Sequence, residues 1–363
     1  MTLRLAAILL LLPAAATCLQ AGEVTTKAAE KLTLSGYTQG QAAYRDNMPD
    51  SLVNNAVYVK RARTRLAADI TKHTQSELEI DFASSKLVKD AILIILPSDA
   101  LRIQVGQYKR PFSQEELFSS TATPVTDLGL TNALVTTKLG FSGRSQGLAA
   151  AYKPPSGKLD VQAGIFTGAG ESDLAVGDKL LGKQTDLNNR GKDWAARAGA
   201  LLGEGTTLHV AANATSRSVG GTYTDGGGIP HRAQDFLAWG GDAELKSGGL
   251  TVWAEALTGD NFSSFTDTAG SYAAPTFLGW HVAGNLQRPI SGEHLFTAWQ
   301  LEGRFEMFDP DLDTDLDGAN MITGGVALFL GKNMRWRTDG EWTTLEAGDT
   351  TNFRLVSELQ AKF

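Results

Sequence analysis

Arg61, Arg63 and Arg65 occupy alternate positions of NAVYVKRARTRLAADI, residues 55–70. At the two-residue period of a β-strand they project from one face. Guanidinium groups are permanent cations whose planar donor forks match carboxylates, phosphates and other oxyanions. A packed core cannot hold three of them unpaired, so they belong on a solvated surface or on the wall of a wet channel. The next segment, QSELEIDFA (75–83), turns Glu77, Glu79 and Asp81 to one side and Leu78, Ile80 and Phe82 to the other. Across a tight turn at 71–74 the acidic row faces the arginines. Each such cross-strand pair is worth a few tenths to about 1 kcal/mol. In LRIQVGQYKR (101–110), Arg102 lies opposite Leu101, Ile103 and Val105, and Lys109 and Arg110 close the segment. Two readings follow. The arginines are wall residues neutralised by their neighbours, or they form a basic ladder that guides anions.

Other chemistry is weaker. DTDLDG (313–318) matches the first half of a calcium loop, with Asp313, Asp315 and Asp317 as candidate ligands. The twelfth position is Gly324 where a bidentate glutamate is required, so an acidic water-facing loop is the better reading. The histidines His73, His209, His231, His281 and His294 have no ligand spacing. No nucleophile elbow, phosphate-binding glycine loop or paired catalytic site is present in the sequence. The expectation is a protein that is not an enzyme and needs no cofactor.

The elements carrying these residues alternate throughout. LTLSGYTQGQAAY (32–44), WAARAGALL (194–202) and LFTAWQLEGRFEMF (295–308) each hold apolar residues on one parity and polar ones on the other. Segments of about ten alternating residues have the length of a tilted membrane strand. Tight turns (TKHT, PSDA, PPSG, GEGT, KSGG, PISGEH, GKNM) alternate with mostly longer polar connections at 45–54, 109–136, 169–192, 217–234, 258–275, 309–319 and 345–350. About sixteen strands fit between them. This predicts an all-β fold, a transmembrane antiparallel barrel with short periplasmic turns and long extracellular loops. Trp194, Trp239, Trp280, Trp299, Trp336 and Trp342 fall on the apolar parity, as an interfacial aromatic belt requires, and Trp253 falls on the polar one. The final strand, TNFRLVSELQAKF, is amphipathic and ends on Phe363.

The chain begins MTLRLAAILLLLPAAATCLQAGEV. Arg4, the apolar run Leu5–Ala16 and the small-residue site before Gly22 predict a signal peptide over 1–21, leaving a barrel domain over 22–363. Thr17 before Cys18 is a poor fit for an acylation signal. The net charge of −7 argues against nucleic acid as a partner.

YVKRARTRLAAD (58–69), then LRIQVGQYKRPFSQEEL (101–117), resembles the phosphate-selective porin O and P family of Gram-negative outer membranes. The late segment 303–342, with its acidic loop, Gly-rich strand and Gly-Lys-Asn turn, is similar to that family's closing strands. The middle, 140–290, matches in rhythm. The resemblance implies a sixteen-stranded homotrimeric porin in the cell outer membrane, in contact with lipid and lipopolysaccharide. It also implies a long loop after the fifth strand that folds into the lumen. Carried onto this chain, that loop is 109–136 and its acids are Glu115, Glu116 and Asp127. The anion path is Arg61, Arg63, Arg65, Arg102, Lys109 and Arg110, with Glu77, Glu79 and Asp81 as lumenal acids. Family members include phosphate- and pyrophosphate-selective channels. Here the chain is acidic and the loop adds carboxylates, so arginines facing a carboxylate-bearing loop also suit general diffusion of small hydrophilic solutes. Three functions stay open: an anion-preferring diffusion pore, a phosphate- or polyphosphate-specific channel, and a closed barrel serving as adhesin or binding platform.

Overall fold

The computed structural model describes residues 22–26, 29–47, 53–167, 192–203, 205–219, 223–224, 230–231, 234–261, 274–292, 294–347 and 350–363. The expected signal peptide, the connection 169–192 and parts of 217–234 and 258–275 lie outside the described residues.

Sixteen strands form the wall. They are β1 (Ala29–Arg45), β2 (Asn55–Thr71), β3 (Thr74–Asp81), β4 (Val88–Ser98), β5 (Leu101–Lys109), β6 (Arg144–Tyr152), β7 (Leu159–Phe166) and β8 (Asp193–Leu202). The second half holds β9 (Thr207–Val219), β10 (Gln234–Ser247), β11 (Leu250–Asp260), β12 (Thr276–Pro289), β13 (Ala298–Asp309), β14 (Ala319–Leu330), β15 (Met334–Leu345) and β16 (Thr350–Lys362). Every strand pairs antiparallel with the next. β16 returns to β1 with Leu359 opposite Gly40 and Leu355 opposite Tyr44, so the sheet closes. A short strand, Gly22–Thr26, adds to the first residues of β1.

The burial pattern is inverted relative to a soluble protein. On β13, Gln300, Glu302, Arg304 and Glu306 are buried, with Glu306 at 0%, while Leu301 and Phe305 are 50% and 40% exposed. Polar side chains therefore line the interior and apolar ones face outward, the arrangement of a barrel in lipid. Trp194, Trp239 and Trp342 are exposed on that outer face. Trp253 points inward, and its Nε1 donates to Glu244 at 2.7 Å.

The connection between β5 and β6, residues 110–143, is the inner loop. It holds two short helices, Gln114–Leu117 and Leu130–Asn132, the second of which runs on into a single π-helical turn, Ala133–Lys138. Phe112, Leu134, Val135, Leu139 and Phe141 pack against Phe236, Ala238, Leu257 and Phe277 of the wall, giving the barrel an apolar core on its β10–β12 side. A second apolar cluster, Ile92, Ile94, Tyr108, Ala149, Phe166 and Ala195, lines the wall from β4 to β8.

Candidate functional site

The site begins with a β-bulge. Gln39 of β1 pairs with Arg61 of β2, yet the adjacent Gly40 pairs with Val59, so Lys60 is the extra residue. A bulge shifts side-chain parity by one. On one side of it Arg61, Arg63 and Arg65 face inward. On the other side Tyr58 and Lys60 do so, Tyr58 Oη donating to Gln41 at 2.7 Å. Lys60 reaches Asp127 of the inner loop and donates to the Thr126 carbonyl at 3.2 Å. Strict alternation would place Lys60 on the lipid side, and no residue in the segment marks the bulge.

The three arginines have different partners. Arg61 donates to the neutral Gln39 Oε1 at 2.9 Å. Arg63 is shared by Glu79 at 3.0 Å and Asp81 at 2.9 Å. Arg65 meets Glu77 at 2.7 Å and remains 46% exposed. Further along the wall β6 supplies Arg144, bound to Asp90 at 2.8 Å and Glu79 at 3.4 Å. Arg144 escaped the sequence analysis; it lies at the end of the inner loop, where no alternation had yet been established.

Facing this wall is the loop segment Leu117–Thr121. Between the two lies a cavity of about 450 Å³ lined by Arg63, Arg65, Lys109, Arg144, Lys362 and the acids Glu77, Glu79 and Asp90. Five basic side chains thus oppose three acidic ones. The loop contributes Leu117, Phe118, Ser119, Ser120 and Thr121, with no carboxylate.

The loop acids lie elsewhere than expected. Glu115 is 3% exposed and accepts from Arg304 at 2.8 Å and from the Gly129 N–H at 2.9 Å. Glu116 is buried against Lys109, at 4.0 Å, and Asn132. Neither faces the arginines of β2. Their burial follows from the loop's docking, because both sit in a helix whose first N–H groups are seated on the wall carboxylate of Glu255. Asp127 bridges Lys60 and Arg354, the latter at 2.5 Å.

Arg110 also departs from the expected path. It is 1% exposed, bound to Asp193 at 2.6 Å, with its guanidinium 5.4 Å from the Phe166 ring centre. Burial pushes its pKa below the ordinary value, opposed by the charge of Asp193. Its place is behind the loop, as an anchor. Arg102 is half-buried on the inward parity of β5, apart from the cavity lining. Lys109 lines the cavity and donates to the Glu116 and Phe118 carbonyls.

The loop is fastened to the opposite wall through its backbone. Glu306 accepts the N–H groups of Leu130 and Thr131 at 2.9 and 2.8 Å, and Asp339 accepts that of Thr126 at 2.7 Å. Arg337 donates to Thr123 and Arg335 to the Thr121 carbonyl. Gln39 of β1 completes the ring, its Nε2 donating to the Ser120 carbonyl at 3.0 Å. The acidic turn with Asp313, Asp315 and Asp317 is extracellular in type and mostly exposed; partial burial, then Asp309 and Asp311, raise the pKa of Asp317.

Residues 35–230 match the family model for phosphate-selective porin O and P. The chain belongs to the phosphate-selective porin O and P family. It is therefore an outer-membrane porin, a water-filled channel for passive diffusion of small hydrophilic solutes. Solved porins share the fold. The anion-selective porin from Comamonas acidovorans aligns with a TM-score of 0.65 at 14% identity, over 92% of this chain and 99% of that one. The channel DcaP of Acinetobacter baumannii gives 0.64 at 12% identity, over 94% and 99%. OmpF of Salmonella typhi, in complex with daunomycin, gives 0.63 at 13%, over 94% and 100%. At these identities the likeness is one of fold. No curated protein matches the sequence.

Proposed function

We propose that this porin prefers anions, and that Arg63, Arg65, Lys109, Arg144 and Lys362 form the anion path past the inner loop, with Arg61 next along the same face of β2. The observation carrying this reading is the charge of the cavity: five basic side chains against three acidic ones, opposite a loop face without a carboxylate. A pore responds to such local charge rather than to the −7 of the whole chain. The comparison with the anion-selective porin from Comamonas acidovorans is consistent with it.

A general anion preference fits better than a tight phosphate site. Arg63 and Arg144 already hold carboxylates at 2.8–3.0 Å, so an oxyanion must compete for their donors. Solute is thus attracted without being retained, as conduction requires. The proposal extends to a signal peptide over residues 1–21, a homotrimer in lipid and lipopolysaccharide, and no catalytic activity.

The test is the reversal potential across a planar bilayer in a potassium chloride gradient. Wild type is expected to be anion-selective. The triple variant Arg61→Ala/Arg63→Ala/Arg65→Ala should turn toward cations, because Glu77 and Asp81 lose their cationic partners and Glu79 keeps only Arg144 among the described residues. A cation-selective wild type rejects the anion path, and absence of conductance from folded protein favours the binding-platform reading.

A further inference from the structure

A second constellation lies on the far side of the inner loop from the cavity. Glu255 of β11 and His281 of β12 are direct cross-strand partners, both turned inward. Glu115 of the inner loop comes down onto them. One carboxylate oxygen from each glutamate and one imidazole nitrogen all lie within 4.8 Å of one another. The three side chains are 3%, 5% and 4% exposed.

The groups are not equally satisfied. Arg304 neutralises Glu115 at 2.8 Å. Glu255 accepts from Ser113 Oγ and from the Gln114 and Glu115 N–H groups, but it has no cationic partner among the described residues. His281 has no hydrogen bond at all among them, although it is 4% exposed and lies between Glu255 and Glu306 in the sheet register. Buried imidazoles and carboxylates ordinarily find partners. Two carboxylates share one cation among the described residues, and an unpartnered imidazole lone pair is free to bind a metal.

We propose that Glu115, Glu255 and His281 form a binding site for a divalent first-row transition-metal ion, of which zinc is the model, that pins the inner loop to the wall. Two carboxylate oxygens and one imidazole nitrogen suit such an ion better than calcium or magnesium, which favour oxygen alone. Bonds of about 2.0–2.2 Å to a central zinc need the ligand atoms clustered within a few ångströms, and these all lie within 4.8 Å of one another. Water supplies the remaining coordination. Glu115 is the one ligand on the loop, and the metal therefore ties loop position to metal supply.

The test uses the purified, chelator-treated porin and zinc chloride in isothermal titration. Wild type is expected to take up one equivalent per chain, with a rise in thermal unfolding temperature. His281→Phe keeps the ring volume and removes the nitrogen; because His281 makes no hydrogen bond among the described residues, the variant should fold as wild type. It should bind zinc at least tenfold more weakly and lose the thermal shift. Cobalt provides a second readout, as the visible band of the bound ion should be present in wild type and absent in His281→Phe. No uptake by wild type, or equal affinity and an unchanged cobalt spectrum in His281→Phe, overturns the site. Metal uptake is read independently of conduction, so its failure is separate from failure of the anion path.

Discussion

Lys60 and Asp127 join the barrel wall to the inner loop, and they meet only because the bulge in β2 turns Lys60 inward. Asp127 is shared with Arg354 at 2.5 Å, which in turn holds Glu341 at 2.8 Å. Lys60 and Asp127 are 16% and 19% exposed, so screening of the pair is limited. One loop carboxylate thus compensates two wall cations. Asp127→Ala is expected to destabilise by about 1–3 kcal/mol. It should also move the reversal potential further toward anions, because Lys60 and Arg354 are released. Thermal unfolding and bilayer recordings check the two effects.

Arg304 fixes the other half of the loop. Its Nη1 holds Glu115 and the Asp127 carbonyl, at 2.8 and 3.0 Å, and its side chain is 1% exposed. Arg304→Ala leaves a buried carboxylate without its cation, at a cost of about 3–5 kcal/mol. The expected outcome is a lower unfolding temperature and noisier single-channel current. An unchanged melting curve contradicts the assignment of Arg304 as a loop anchor.

Arg110 and Arg63 should separate cleanly. Arg110 is held away from the cavity by Asp193, and Arg63 lines it. Arg110→Ala is expected to cost about 1–3 kcal/mol, because the buried Asp193 keeps only Arg217, at 3.5 Å, and the Ser218 N–H among the described residues, while ion selectivity stays in place. Arg63→Ala should shift selectivity toward cations. Reversal potentials of the two variants, measured beside their melting curves, distinguish an anchor from a path residue.

The closing seam has its own requirement. Gly36 and Phe363 exchange both backbone hydrogen bonds at 3.0 Å. A Cβ on Gly36 would lie 2.4 Å from the Arg63 carbonyl oxygen and 2.5 Å from the Phe363 ring. Gly36→Val is therefore expected to destabilise the barrel by about 1–3 kcal/mol through overpacking. Heat-modifiable gel mobility should show unfolding at lower temperature than wild type.

The alternation of single segments was enough to give an antiparallel membrane barrel of sixteen strands. A two-residue period is local, and the inward set on β13, Gln300, Glu302, Arg304 and Glu306, follows from it directly. The inward orientation of Arg61, Arg63 and Arg65 was legible for the same reason. The GQYKRPFS motif marked where the inner loop begins through its family resemblance, without indicating which way the loop's side chains point. Lys60 was hidden because a bulge is decided by pairing between β1 and β2 and has no signature within β2 alone. The directions of the Glu115, Glu116 and Arg110 side chains were hidden because they depend on where the loop docks. That docking is set by contacts distant in sequence: Glu255, Glu306 and Asp339 accept loop N–H groups, and Arg304 takes Glu115. Local periodicity determined the wall, and long-range satisfaction of buried charges and backbone donors decided the passage through it.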